Sequence, residues 1–258
     1  MSIEIHDHAR IREIRLARPP ANALDTALCR ELIGAINTAQ ADDAHAIVLS
    51  GAPHIFSGGL DVPYLLSHGD DRAKLFDSWQ AFFGAAKTLA EARIPVVAAI
   101  TGHSPAGGCV LALCCDYRIM ARSADAARPY AIGLNEVQVG LAAPEGIQRL
   151  LRRVVGAHRA ERLLVAGEMV SAEQAAQIGL VDELVDGELV VARAIAWLQD
   201  LLRLPRQPML HTRDVARADL REALAPELIQ LDRFVEAWYA EDAQAALQAL
   251  GARLRKPA

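Results

Sequence analysis

Three short stretches hold the residues whose types and spacing could do chemistry. The first is Ser104-Pro105-Ala106-Gly107-Gly108, set between an apolar run, Pro95–Ile100, and a second that reaches Cys115. The pattern reads as a strand, a tight turn and a buried helix. Ser104 suits the helix cap and Pro105 the first helical position. First-turn N–H groups have no partner inside a helix. Gly107 is therefore expected to present a free N–H at the positive end of a helix dipole, with no side chain in the way. Such a group can hold a carbonyl oxygen that is becoming an anion. The second stretch is Phe56-Ser57-Gly58-Gly59-Leu60-Asp61-Val62, again a Gly pair between an apolar strand and the start of a helical pattern. A free N–H on Leu60 would complete a pair of donors, an oxyanion hole. The third, Tyr130–Val137, is a strand running into a loop with one carboxylate, Glu136. Each stretch has a plainer alternative: close helix packing at Gly107 and Gly108, a Gly-rich surface turn at Gly58 and Gly59, an exposed loop acid at Glu136. The residues alone leave these alternatives open.

The elements that must position these groups follow from periodicity and punctuation. Ile3–Leu16 reads as two short strands, ended by Arg18-Pro19-Pro20. A helix opens between Asn22 and Asp25 and runs to about Ala41. Ala46–Ser50 is a short apolar strand. Asp71–Arg93 is a long amphipathic helix that carries Trp79, Phe82 and Phe83 on or near its buried side, where core packing is the first reading. Asp116–Ala121 returns as a strand, with Asp116 and Arg118 as a structural ion pair or loop anchor, and Ser123–Pro129 is a polar loop. Pro144–Val155 and His158–Ala166 read as helices. Ser171-Ala172-Glu173-Gln174 is a capping box whose helix ends at Gly179, and Leu180–Val185 is a strand. From Gly187 the chain is helical, with breaks expected at Pro205 and Pro208. The Leu/Ala-rich stretch Leu220–Leu250 suits helices that pack on a neighbouring subunit as well as on their own core.

Composition excludes several classes. The 258 residues allow one sizeable core, and 52% hydrophobic with 23% charged residues indicates a soluble globular chain. The net charge of −5, with no basic block, gives no reason to expect nucleic acid or membrane. The start lacks the apolar core of a signal peptide. Residues 255–258, Arg-Lys-Pro-Ala, do not form a peroxisomal address. Cys29, Cys109, Cys114 and Cys115 have neither metal-ligand nor disulfide-framework spacing, so reduced, buried thiols in a cytoplasmic protein are expected. No metal site is expected: His6-Asp7-His8 reads as exposed surface. His103, beside the central turn, reads as turn packing more readily than as a base. Phosphate loops, dinucleotide-binding patterns and nucleophile elbows are absent.

Four motifs in one order resemble the crotonase (enoyl-CoA hydratase/isomerase) superfamily: FSGGLDV at Phe56–Val62, PAGGC at Pro105–Cys109, CDYRI at Cys115–Ile119 and IGLNE at Ile132–Glu136. Looser patterns at Arg18–Asp25, Gly156–Leu164 and Ser171–Asp182 extend the likeness over nearly the whole chain. The closest look is that of the short-chain Δ3,Δ2-enoyl-CoA isomerases. The resemblance implies an α/β fold, a spiral of ββα units over residues 1–200 with a helical trimerisation region over 201–258, assembled as a homotrimer or a dimer of trimers. It implies an acyl-CoA thioester as substrate, in fatty acid β-oxidation, with no separate cofactor because coenzyme A is part of the substrate. Leu60 and Gly107 would hold the thioester oxygen and Glu136 would be the base. Gly58, Gly59, Leu60, Asp61, Val62 and Gly107 would contact substrate, with Arg18–Leu24 near the coenzyme A path. Two departures matter. Hydratases of this superfamily carry a second Glu where this chain has Val110, which favours an isomerase over a 2-enoyl-CoA hydratase. The loop Ser123–Ala131 is longer than in the isomerases, which puts the shape of the acyl pocket in question. Another crotonase-type acyl-CoA enzyme and a non-catalytic acyl-CoA-binding protein are the remaining alternatives, and the presence of Glu136 argues against the second.

Overall fold

Two apolar pentapeptides, Ala46–Ser50 (AIVLS) and Val96–Ile100 (VVAAI), are buried at every position, as expected for strands covered on both faces of a parallel sheet. The computed structural model describes residues 2–254, so the terminal tetrapeptide inspected for an address lies outside the described residues. In chain order the strands are β1 (Ile3–His8), β2 (Ile11–Leu16), β3 (Ala46–Ser50), β4 (His54–Ile55), β5 (Val96–Ile100), β6 (Gly102–Pro105), β7 (Tyr117–Arg122), β8 (Ala131–Gly133), β9 (Val170–Ser171) and β10 (Glu183–Asp186). They form one sheet in the order β1-β2-β3-β5-β7-β10 and a second in the order β4-β6-β8-β9. β1 pairs antiparallel with β2, and β2, β3, β5, β7 and β10 run parallel.

Strands β3, β5 and β7 each lead, after a short connection, into one strand of the second sheet and then into helix. The chain thus advances by one strand in both sheets per unit, which makes a spiral of ββα repeats. β4 lies parallel to β6, His54 facing Gly102, and β6 lies parallel to β8, Ser104 facing Ile132. The approach of successive turns is close: a Cβ on Gly102 would sit 1.9 Å from the carbonyl carbon of His54. The stacking therefore places three strand-to-helix turns side by side, and those turns carry Leu60, Gly107 and Glu136.

Several elements differ from the sequence reading, each for an identifiable reason. Ser104 and Pro105 are in β6, and the helix begins at Gly107 with Ala106 in the cap position. Pro208 does not break a helix. It falls in the first turn of Arg206–Ala216, where a missing N–H costs nothing. Asp116 and Arg118 do not pair with each other. Asp116 receives Arg213 at 2.8 Å and Arg217 at 3.0 Å, while Arg118 pairs with Asp182 at 2.8 Å. Asp116 thereby keys the helices after residue 201 onto the end of β5, whose Val96 N–H it also accepts at 2.7 Å. The long helix is Arg72–Ala90, capped by Asp71, and the capping box at Ser171 is present with both of its bonds.

Candidate active site

The Gly58–Val62 turn is fixed by its neighbours. Leu24 bridges across it: the Leu24 N–H donates to Gly59 O and the Asp61 N–H donates to Leu24 O, at 2.8 and 3.1 Å. This pairing uses the groups on either side of Leu60 and points the Leu60 N–H away from Leu24. Asp61 caps the helix Val62–Leu66 through the Tyr64 N–H and receives Arg18 Nη2 at 2.8 Å. Arg18 also reaches Asp25 at 3.1 Å and donates to Ala23 O at 2.9 Å, so one guanidinium clamps the two segments that flank Leu60.

The second turn abuts the first. Gly59 has φ +81°, and a Cβ there would lie 3.1 Å from Pro105 O and 3.4 Å from Gly107 N. Glycine is required on both counts. Ala106 holds φ +44°, an unusual angle for a residue with a side chain. Its N–H donates to Gly133 O at 2.8 Å, and its carbonyl accepts from Val110 N at 3.0 Å. Gly107 follows as the first residue of the helix Gly107–Leu113. Among the described residues, neither the Leu60 N–H nor the Gly107 N–H has a hydrogen-bond partner.

The third turn is tied to the second by that Ala106–Gly133 bond. Three residues beyond Gly133, Glu136 opens a short 3-10 turn, Glu136–Val139. Glu136 is half-buried, and among the described residues its carboxylate has no hydrogen-bonded side chain. Burial pushes its pKa up to about 7 from its ordinary 4.5. A carboxyl that titrates near neutrality is matched to proton transfer at neutral pH.

One cavity of about 270 Å³ joins these groups. Gly58, Leu60, Val62, Ala106, Gly107, Val110, Asn135 and Glu136 line it. Glu136 is the sole ionisable side chain among its described lining residues. Of the residues singled out in the sequence, Gly59 and Asp61 stay out of the lining. Gly59 is packed against the Gly107 turn, and Asp61 is engaged by its cap and by Arg18. His103 is also elsewhere, its Nδ1 accepting from the Ala131 N–H at 3.1 Å, and no residue of the Ser123–Ala131 loop reaches the cavity. The remaining walls are apolar and were missed as site residues: Trp79, Phe82 and Phe83, read as core, and Phe234, Trp238, Leu247 and Leu250, read as subunit-packing helices. The available signal was the spacing of Phe234 and Trp238, four apart on one helix face. The His6–His8 stretch lies in β1, and no group of three His, Cys, Asp or Glu suited to a metal occurs among the described residues.

The sequence and the overall fold are similar to those of known proteins. The sequence profile of the family described as Enoyl-CoA hydratase/isomerase matches residues 6–251. The human protein named enoyl-CoA delta isomerase 1, mitochondrial, is 32% identical over 96% of this chain and 81% of its own length. A protein of Mycobacterium avium named probable enoyl-CoA hydratase echA17 is 33% identical over 81% of this chain and 80% of its own. The crystal structure of human mitochondrial delta3-delta2-enoyl-CoA isomerase superposes with a TM-score of 0.89 at 30% identity, covering 99% of this chain and 98% of that one.

Proposed function

The chain belongs to the enoyl-CoA hydratase/isomerase family, and from that premise we propose that it moves the double bond of 3-enoyl-CoA thioesters to the 2-position. One observation carries the reading: among the described residues, the cavity beside the two free N–H groups is lined by a single ionisable side chain, Glu136. Removing a proton from C2 of a 3-enoyl thioester gives a dienolate, with charge on the thioester oxygen. The N–H groups of Leu60 and Gly107 receive that oxygen, each donor worth about 2.7–4 kcal/mol by analogy with other oxyanion holes. Glu136 takes the proton from C2 and returns it at C4, so nothing is added and nothing leaves. One base is enough. In this proposal coenzyme A enters as part of the substrate, and no separate cofactor takes part.

Hydration of 2-enoyl-CoA is the second reading, favoured by relatives that carry a hydratase name. Adding water requires a positioned water, a group to accept its proton and a group to protonate C2. Val110 lines the cavity where hydratases of the family place their second Glu, and it can neither hold water nor carry a proton. The test is to incubate the protein with 3-enoyl-CoA and 2-enoyl-CoA separately and identify the products. We expect 2-enoyl-CoA from the first and little 3-hydroxyacyl-CoA from the second. Faster hydration than isomerisation would replace the first reading by the second.

The four cysteines are buried, free thiols, which supports a reducing compartment such as the cytoplasm. No helix among the described residues is long and apolar enough to cross a membrane.

A further inference from the structure

The carboxyl ends of four parallel strands share a second cleft. Arg15 lies near the end of β2, Gly51 follows β3, Thr101 follows β5 and Arg122 ends β7, and all four line it. Ligands of parallel α/β sheets bind beyond this edge. The cleft measures about 510 Å³, far above the ~10–15 Å³ that one water needs. Among the described residues, none lines both this cleft and the cavity of Glu136. His54 and Tyr130 form another part of its wall. Tyr130 is buried, and its hydroxyl meets Nδ1 of His54. The phenol has no other partner among the described residues, so its O–H donates and the imidazole keeps its proton on Nε2. His54 sits at φ +69°, an uncommon conformation for a residue with a side chain. The groups left over in the wall are mostly donors. Thr101 donates its O–H to Ala52 O at 2.8 Å. Glu13 is buried there with both oxygens engaged, Oε1 by the Ser50 hydroxyl at 2.6 Å and Oε2 by His8 Nε2 at 3.2 Å. Arg15 makes one ion-pair contact, to Glu4 at 3.3 Å, and its Nε is buried without a partner. Arg122 has no partner among the described residues.

We propose that this cleft is a second binding site, which takes a phosphate-type anion between Arg15, Arg122 and His54. Donors from three separate elements, β2, β4 and β7, suit a tetrahedral anion, which accepts on all sides, better than a planar carboxylate. Guanidinium groups are the strongest of these donors because they stay charged and present several N–H groups in a fixed fork. Glu188, at the start of the helix region after β10, is the one carboxylate of the lining with no partner among the described residues. Its charge opposes an anion, so its removal is a direct test. The long loop Ser123–Pro129 borders the cleft through Ala124, and Arg122 and Tyr130 bracket that loop. A bound anion therefore links the start of the loop, at Arg122, to the His54–Tyr130 pair at its end. The proposal does not rest on the isomerase reading.

The test is calorimetry of inorganic phosphate binding to the whole chain at one fixed ionic strength, with acetate as the planar comparison. We expect saturable binding of one phosphate per chain, at least about tenfold tighter than acetate. Arg122→Ala should weaken it about tenfold or more, and Arg122→Lys should recover part of the loss. His54→Asn removes the imidazole with a residue that tolerates the same backbone angle, and should weaken binding by a similar factor. Glu188→Gln should tighten it about threefold. Saturating butanoyl-CoA should leave phosphate binding unchanged. Arg122 and Glu188 are exposed, so their variants decide the matter if His54→Asn fails to fold. No saturable phosphate binding, or wild-type affinity in Arg122→Ala, overturns the site. Acetate binding as tightly as phosphate overturns the assignment of the anion. Displacement of phosphate by butanoyl-CoA gives these contacts to coenzyme A and overturns a separate site.

Discussion

A carboxyl group that titrates near neutrality links the chemistry of Glu136 to its stability. Because burial raises its pKa to about 7, the folded state binds the proton more tightly than the unfolded one. The stability it contributes is fully present below about pH 4.5 and is lost as pH rises through about 7. Glu136→Gln should therefore be the more stable protein at alkaline pH by up to about 3 kcal/mol, and no more stable at about pH 4; urea unfolding at both pH values measures it. The same variant should lose about 10³-fold or more in isomerisation, and wild-type turnover should rise with pH through about 7. Near wild-type turnover in Glu136→Gln would end the single-base mechanism. Gly107→Val addresses the donors. Its Cβ would lie 2.7 Å from Leu60 Cδ2, a flexible side-chain end, so the fold adjusts while the approach to the N–H is obstructed. Isomerisation should fall at least about 100-fold with a small change in melting temperature; a collapse in stability with full activity in the folded remainder would make Gly107 a packing residue only. At this scale the sequence was informative. Glu136, Leu60 and Gly107 stood out as candidates because Gly pairs and lone carboxylates are conspicuous, and the family resemblance supplied their expected roles, whereas the lining aromatics looked like any core residues.

Elements carry the positioning, and here the sequence was less legible. The strand-to-helix turn at Ala106 begins two residues later than Ser104 and Pro105 suggested. The cause is a φ of +44° at an alanine, a conformation no composition signal announces. Holding it costs about 1–3 kcal/mol, offset by the bonds to Gly133 and Val110. The other turn depends on Arg18, which the sequence placed only near the coenzyme A path. Its contacts to Asp61, Asp25 and Ala23 O hold Leu60 in place from behind. Arg18→Met should lower kcat by about tenfold with the chain still folded, since a displaced donor weakens the interaction made in the transition state. Arg18→Lys should restore part of the loss. If Arg18→Met raised KM alone and left kcat unchanged, Arg18 would be a substrate contact, and its role in positioning would be withdrawn.

On the scale of the whole molecule, the short apolar strands and the paired Gly-bearing turns were legible in the residues, while the ββα spiral they build was expected from the family resemblance. The course of the helices after residue 201 was not legible, because an apolar face does not say what covers it. In the structure Leu220, Ile229, Phe234 and Trp238 are buried within the chain itself, and the last two helices wall the cavity. That accounts for much of the apolar surface from which self-association was expected, but not all of it. Val165 is 77% exposed, Val215 63% and Val137 43%. Val137 meets the end of the helix that bears Val165, its Cγ2 lying 2.7 Å from where a Cβ of Gly167 would be. Large exposed apolar groups near one another mark surfaces that bind, and closed symmetric assemblies are the usual outcome. The family resemblance implies a trimer or a pair of trimers, so we expect light scattering to give a mass of three times the 27.8 kDa chain, or twice that again. Val165→Asp separates the possibilities. On a monomer surface the change is worth within about 0.5 kcal/mol and alters no mass, whereas in a subunit interface it buries an unpaired charge and should shift the population towards single chains on dilution. A wild-type monomer at working concentration would remove the expectation of a trimer, and an unchanged trimer in Val165→Asp would place the interface elsewhere on the chain.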